Sequence, residues 1–333
     1  MREWQKMRAS AWRFGLSVFG VLALAAMPAR AIIVYDNPGR LTTMPTLTGG
    51  VKPGWQYIGT YGSFTGIPIG PRAWVTATHV SNPTGTIRYD NAGTTSAANY
   101  ASTRVATSGD LTVFELDAGQ PDFTEWAPVW NSTSTLLDRI TAGTLDVYMY
   151  GRGTDRGAAI LNGDSQPGGW NWANWTGTDP LSYGTGNVFD IVSDAGNDYL
   201  QMPFFPEAGT SGIFSTGDSG GAIFAFDDVD SRWELIGVNY AVDTVYAAKD
   251  VPLGDYLRAA FYDARGNWYY DGSQWVQITG PGPVVLSSYS TALPQKYSVL
   301  APFIPVPEPS TLILGGISVG GMILAARRRR KSS

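Results

Sequence analysis

The sequence predicts an all-β protein. It contains 40 glycines and 21 prolines among 333 residues, and short stretches rich in Val, Thr and Tyr lie between them. Branched and aromatic residues favour strands, whereas frequent Gly and Pro interrupt helices. A hydrophobic fraction of 44% is enough to bury a sizeable core. We therefore expect one or two compact domains built from strands and turns.

The N-terminal residues 1–31 have the pattern of an export signal. Basic residues precede an apolar run over 14–27, and Ala29-Arg30-Ala31 offers a cleavage site between small residues. A run of 14 residues is short for a membrane span. We therefore expect cleavage by a signal peptidase, with a mature chain that begins at Ile32. The alternative is a retained N-terminal anchor.

The C-terminal residues 307–333 combine three features in a fixed order. Pro307-Glu308-Pro309 is followed by a mostly apolar stretch over 311–326, which predicts a single apolar helix, and then by an arginine cluster over 327–330. This order resembles the PEP-CTERM sorting signal. The resemblance implies a Gram-negative bacterium, transient anchoring in the inner membrane and processing by an exosortase-type enzyme. The product would reach the cell surface or the medium. An ordinary tail anchor is the alternative.

The composition excludes sites built from cysteine and argues against nucleic acid as a partner. The chain has no cysteine, so an exported protein of this sequence is held by core packing, without disulfides or thiolate metal sites. The terminal signals contain five basic residues each, together with Glu3 and Glu308. The remaining residues 32–306 contain 13 Lys and Arg and 26 Asp and Glu, which gives a net charge of −13. Nucleic acid is therefore not expected as a partner, because phosphate binding needs a basic surface.

A glycine turn at residues 217–221 presents a serine. In Gly217-Asp218-Ser219-Gly220-Gly221, three residues lack a Cβ, so the backbone can adopt positive φ angles and approach a substrate closely. Such a turn suits a nucleophilic hydroxyl flanked by N–H donors. By itself the string also fits a loop that joins two strands.

Two further segments supply the partners that a serine nucleophile needs. His79 is the only histidine, and it follows a strand predicted over 72–78. Its unperturbed pKa of about 6.5 suits a group that accepts and returns a proton near neutral pH. Asp110 stands at the start of an apolar strand, and Asp90 is the rival candidate for the acidic partner.

The three segments together resemble the trypsin-like, chymotrypsin-fold serine proteases over residues 32–265. Their order is histidine, aspartate, serine, which differs from the order in α/β-hydrolases and subtilisins. The resemblance implies two six-stranded antiparallel β-barrels and a short C-terminal helix, which we place at 252–262. Residues 266–306 are then expected to form an extension and linker.

The resemblance also implies roles for individual residues. Ser219 would be the nucleophile, His79 the general base and then acid, and Asp110 the group that orients it. The oxyanion hole would use the N–H groups of Gly217 and Ser219. Substrate would be bound by a pocket with Ile213 at its base and by the segment Asn239, Tyr240 and Ala241.

These roles predict an exported serine endopeptidase that acts on polypeptides. A buried Ile213 cannot pair with a substrate Lys or Arg, so cleavage is expected after small or apolar residues. Asp218 could pair with a new amino terminus at Ile32, which would couple export to activation. The alternative function is an inactive surface or matrix binding protein on the same fold.

Residues 155–209 are expected to form an insertion, and two hypotheses concern it. The tryptophans 170, 172 and 175 either form a binding platform or pack the insertion against the barrel. Four oxygen ligands, Asp190, Asp194, Asn197 and Asp198, allow a calcium ion, although their spacing does not match an EF-hand loop. No cofactor is otherwise expected.

Overall fold

The computed structural model describes residues 32–36, 41–173, 180–206, 209–243, 246–247, 258–270 and 273–305. The predicted signal peptide and the apolar C-terminal helix lie outside these residues. Among the described residues, no helix is long and apolar enough to cross a membrane.

A closed six-stranded antiparallel barrel forms the first half of the described chain. Its strands pair in the order β2-β3-β4-β7-β6-β5. They are β2 (Gly59–Tyr61), β3 (Phe64–Pro68), β4 (Ala73–Ala77), β5 (Thr84–Tyr89), β6 (Ala98–Ser108) and β7 (Leu111–Leu116). The barrel confirms the first of the two predicted barrels. Trp74 and Phe114 stack in its interior with ring centroids 4.3 Å apart.

A seven-stranded antiparallel sheet forms most of the second half, in the order β11-β8-β15-β16-β21-β13-β12. Its strands are β8 (Asp146–Gly151), β11 (Ser182–Asn187), β12 (Asp190–Asp194), β13 (Asn197–Pro203), β15 (Ala222–Asp227), β16 (Arg232–Val242) and β21 (Ser287–Ala292). Strands β15 and β16 form a hairpin that follows Ser219. Closure of this sheet into a second barrel stays a prediction.

Smaller elements complete the fold. Short strands pair in three further sheets: β1 (Ile33–Val34) with β14 (Gly212–Ile213); β9 (Arg156–Leu161), β10 (Pro167–Trp172) and β18 (Ala259–Phe261); and β17 (Tyr246–Ala247), β19 (Trp268–Tyr270) and β20 (Trp275–Gln277). The helices are α1 (Thr133–Ala142) and α2 (Tyr297–Leu300), with 3₁₀ turns at Thr48–Gly50, Trp55–Tyr57, Thr78–Val80, Leu293–Lys296 and Ala301–Phe303.

The C-terminal part of the domain differs from the prediction in two respects. The helix expected at 252–262 is wrong over Ala259–Phe261, which form strand β18 because they pair with β10; residues 251–257 lie outside the described residues. Residues 266–306 are not merely an extension, since β21 lies between β16 and β13 in the middle of the large sheet. The chain then forms α2, whose Leu300 is fully buried.

Leu300→Ala tests whether this C-terminal segment belongs to the folded core. Leu300 lies in the same apolar cluster as Ile69 and Val75 of the first barrel region. Its truncation is expected to lower the free energy of unfolding by about 2–5 kcal/mol, because a cavity remains where the side chain packed. Thermal or urea unfolding followed by circular dichroism measures this.

Leu137→Ala provides the matched control for that experiment. Leu137 is on helix α1 and is 42% exposed. Its substitution is expected to change the free energy of unfolding by less than about 1 kcal/mol. Equal effects of the two variants would mean that residues 293–305 do not stabilise the domain.

Candidate active site

Strands β4 and β7 bring His79 and Asp110 together. The two strands are antiparallel neighbours, with Ala77 opposite Leu111. His79 follows β4 and Asp110 precedes β7, so both lie at the same end of the pair. The backbone N–H of Thr78 donates to the carbonyl of Asp110 at 3.0 Å, which fixes one turn against the other.

Asp110, His79 and Ser219 form a continuous hydrogen-bonded series. Nδ1 of His79 lies 2.9 Å from both carboxylate oxygens of Asp110, and the backbone N–H of His79 donates to Oδ1 at 3.0 Å. Nε2 of His79 lies 2.7 Å from Oγ of Ser219. The Asp110 side chain is 9% exposed and that of His79 is 41% exposed. With a proton on Nδ1, Nε2 is free to accept the serine proton.

The glycine turn seats Ser219 at the junction of the barrel and the large sheet. The N–H of Gly220 donates to the carbonyl of Asn239 on β16 at 3.0 Å. Gly220 has φ of +74° and approaches β4 so closely that a Cβ would collide with Oγ1 of Thr76. A residue with a side chain would therefore displace the turn and move the Ser219 hydroxyl away from His79.

Asp218 holds the inner side of the same turn. Its buried carboxylate accepts the backbone N–H groups of Gly153 and Ser215, each at 2.7 Å. Among the described residues, the N–H groups of Gly217 and Ser219 have no hydrogen-bond acceptor. Two free N–H groups beside a serine hydroxyl can stabilise a negatively charged oxygen that develops there.

A cavity of about 200 Å³ opens beside Ser219. Aromatic, aliphatic and hydroxyl side chains line it, together with one amide and one carboxylate: Phe214, Ser215, Thr216, Asp218, Ser219, Asn239, Tyr240, Ala241 and Val242. The structure thus brings the predicted substrate segment at residues 239–241 next to the Ser219 hydroxyl. Asn239 has a structural role as well, since its side-chain amide donates to the carbonyl of Tyr150 at 2.9 Å.

Ile213 is not among the residues that line this cavity. It is fully buried on β14, where it pairs with Ile33 of β1 and packs in a separate apolar cluster. The residue that follows it, Phe214, is the first of the lining residues. Ile32 is buried near the same strand. Activation through Ile32 and Asp218 stays a prediction.

Tyr240 and Tyr199 form an aromatic pair beside His79 that the sequence did not indicate. The two rings stack with centroids 4.5 Å apart, and Tyr240 meets the His79 ring edge-on at 6.0 Å. Burial raises the pKa of both tyrosines, and the negative charge of Asp110 adds to the effect. Tyr199 was hidden within the predicted insertion, where no motif marks it.

Asp90 and Trp170, which were candidates for the triad acid and for a binding platform, both make structural contacts. Asp90 accepts the N–H of Gly93 in the turn after β5, away from His79. Trp170 packs against Tyr35, Phe204 and Tyr262, which favours packing over a platform for this residue; Trp175 lies outside the described residues.

The acidic residues proposed for calcium lie on the β12–β13 hairpin. Asp194 is opposite Asn197 and Asp198 is opposite Ser193, while Asp190 is at the far end of β12. In the described part of the chain, no group of three or more His, Cys, Asp or Glu side chains could hold a metal ion.

Comparison with known proteins identifies the sorting signal. The profile of the PEP-CTERM protein-sorting motif matches residues 305–330. This match confirms the C-terminal motif, and it indicates export, membrane-associated sorting and processing by an exosortase. A search of curated proteins finds no significant match.

Two solved structures match parts of this chain at low sequence identity. The passenger domain of Plasmid encoded toxin, an autotransporter enterotoxin from enteroaggregative Escherichia coli, has a TM-score of 0.43 and 13% identity over 80% of this chain. This chain spans only 25% of the length of that passenger domain. The apo MamO protease domain from Magnetospirillum magneticum has a TM-score of 0.35 and 13% identity, over 71% of this chain and 87% of that one.

Proposed function

We propose that this protein is an exported serine endopeptidase of the trypsin-like, two-barrel type. The observation that carries the proposal is the hydrogen-bonded series from Asp110 through His79 to Ser219, with a distance of 2.7 Å between Nε2 and Oγ. In the serine protease template, this geometry lets the histidine take the hydroxyl proton as oxygen attacks a carbonyl carbon.

The reaction proceeds in two halves. Oγ of Ser219 bonds to the carbonyl carbon, and its proton moves to Nε2 of His79. The N–H groups of Gly217 and Ser219 stabilise the resulting oxyanion. The C–N bond then breaks, and His79 gives its proton to the leaving amine. Water, deprotonated by His79, hydrolyses the acyl-enzyme and regenerates the serine.

The cavity beside Ser219 supports a preference for small or apolar residues on the acyl side. Phe214, Ala241 and Val242 supply apolar lining. Asp218 is the one carboxylate that lines it, and its oxygens accept backbone N–H groups. A Lys or Arg side chain would therefore enter without a free counter-charge, which costs several kcal/mol. The preference rests on these residues rather than on Ile213.

Digestion of a peptide library by purified protein tests both the reaction and its preference. Mass spectrometry of the products should show cleavage after Ala, Val or Leu and little after Lys or Arg. The Ser219→Ala protein, purified in parallel, should give none of these products; products that persist in it would come from a contaminant. Cleavage confined to Lys and Arg sites would contradict the predicted preference. A folded protein that cleaves nothing would favour the binding-protein alternative.

A further inference from the structure

Tyr199 connects an inner strand of the large sheet, β13, to the catalytic histidine. It lies on β13, is 4% exposed and stands opposite Thr291 of the neighbouring strand β21. Its ring is nearly parallel to that of Tyr240, with an angle of 16° between the planes. Tyr240 in turn meets the His79 ring at 72°. The three rings therefore form one contiguous series of contacts from β13 to the reacting group, first stacked and then edge-on.

The first residue of β13 also contacts the turn that carries Asp110. Gly109, with φ of +59°, lies against Asn197, and a Cβ at Gly109 would collide with Oδ1 of that side chain. Lys296 fixes Asn197 from the other side, since Nζ donates to the same Oδ1 at 2.9 Å. One strand thus approaches both partners of the His79–Asp110 pair.

Asp110 depends on its surroundings to keep this pair in place. Among the described residues, its carboxylate accepts hydrogen bonds from the backbone and ring of His79 and from no other residue. Water can replace the single partner of such a carboxylate unless neighbouring groups exclude water from the site. The electrostatic interaction between the carboxylate and its partner is also stronger where water is excluded.

We propose that Tyr199 is a positioning residue for the triad, an inference that rests on the proposed function. By supporting Tyr240 against His79, on the strand whose Asn197 lies against the Asp110 turn, it keeps Nδ1 facing the carboxylate and Nε2 facing Ser219. The ring carries this role, because the stack depends on its flat surface. A misplacement of about 1 Å in such a site can lower the rate by about 100-fold.

Tyr199→Leu tests the proposal with two readouts on the mature chain. Because His79 is the only histidine, the low-field proton NMR signal of its Nδ1–H needs no further assignment. We expect Tyr199→Leu to broaden this signal by exchange with water and to slow labelling by a fluorophosphonate about 10- to 100-fold. In that labelling, Oγ of Ser219 bonds to phosphorus as the P–F bond breaks and fluoride leaves, and the hydroxyl proton passes to Nε2 of His79. Tyr199→Phe keeps the ring and should behave as wild type.

Tyr100→Leu is the matched control. Tyr100 is 3% exposed, contacts Phe123 at 4.8 Å and has a hydrogen-bonded hydroxyl, but it lies in the first barrel away from the site. It should lose stability as Tyr199→Leu does and keep both the signal and the labelling rate. Tyr199→Met, measured below its melting temperature, replaces the leucine variant if that variant does not fold.

Three results would overturn the proposal. They are a wild-type signal and rate in Tyr199→Leu, an equal loss in Tyr100→Leu, and a Tyr199→Phe protein as impaired as Tyr199→Leu. Failure of the wild-type protein to react with the probe would instead contradict the proposed function. The histidine signal would still report whether Tyr199 positions His79.

Discussion

Ser219→Ala is expected to lower the turnover of a peptide substrate by about 10⁴- to 10⁶-fold, as removal of the nucleophile does in serine proteases. In the wild-type protein, Oγ of Ser219 lies 2.7 Å from Nε2 of His79. Alanine removes this atom and leaves the glycine turn and its hydrogen bonds to Asn239 in place. The loss should therefore appear in kcat, with the melting temperature unchanged within a few degrees. Initial rates on the best peptide from the library digestion measure it.

Ser134→Ala is the control for this substitution. Ser134 is exposed on helix α1 and has no role in the site. Its variant should retain wild-type turnover. Residual turnover in Ser219→Ala above about one hundredth of the wild-type rate would assign the nucleophile to another group.

Asp110→Asn is expected to lower kcat by about 10⁴-fold, the loss that this substitution causes in the serine protease template. The asparagine amide can donate a hydrogen bond to Nδ1 of His79. It then favours the tautomer with the proton on Nε2, which cannot accept the proton of Ser219. The geometry should be retained, because the amide has the size of the carboxylate. Steady-state kinetics near neutral pH give the effect.

Asp90→Asn distinguishes this effect from a general loss of charge. Asp90 was the rival candidate for the triad acid, and it is placed in a turn where its Oδ1 accepts the N–H of Gly93 at 3.1 Å. An asparagine oxygen can accept the same bond. Turnover should remain within about threefold of wild type, because the residue touches no part of the site. A loss as large as that in Asp110→Asn would contradict the assignment of Asp110.

The three residues of the proposed triad could be located from the sequence because each lies beside a recognisable local pattern. His79 directly follows a run of β-formers, and Asp110 directly precedes another. These two strands are neighbours in the barrel, so the ends named in the sequence are also close in space. Ser219 is marked by glycines that its turn requires. Local patterns therefore located three residues that the fold brings together, although their catalytic roles stay proposals.

The sequence was less informative wherever long-range pairing decides the structure. Residues 266–306 were expected to form an extension and linker, yet they contain β21, an internal strand of the large sheet. The helix predicted over 252–262 is wrong at its end, because Ala259–Phe261 pair with β10. Sheet order depends on partners far along the chain, and no local pattern in these segments specifies them.

Ile213 and Tyr199 illustrate the same limit within the site. The family resemblance placed Ile213 at the base of the pocket. In the structure, Ile213 pairs with β1 and its side chain packs in an apolar cluster, whereas Phe214 lines the cavity. Tyr199 lies 41 residues before Tyr240 in the sequence, and they stack only because β21 sits between their strands. Strand pairing between distant parts of the chain, rather than residue type, determines both outcomes.

Intact-mass spectrometry after reaction with a fluorophosphonate tests the central assignment most directly. The mature wild-type protein should gain the mass of one phosphonyl group, peptide mapping should place it on Ser219, and Ser219→Ala should gain none. Reaction should also be slower in Asp110→Asn, since it depends on the same base. A folded wild-type protein that gains no mass, or one labelled equally when Ser219 is alanine, would contradict the account.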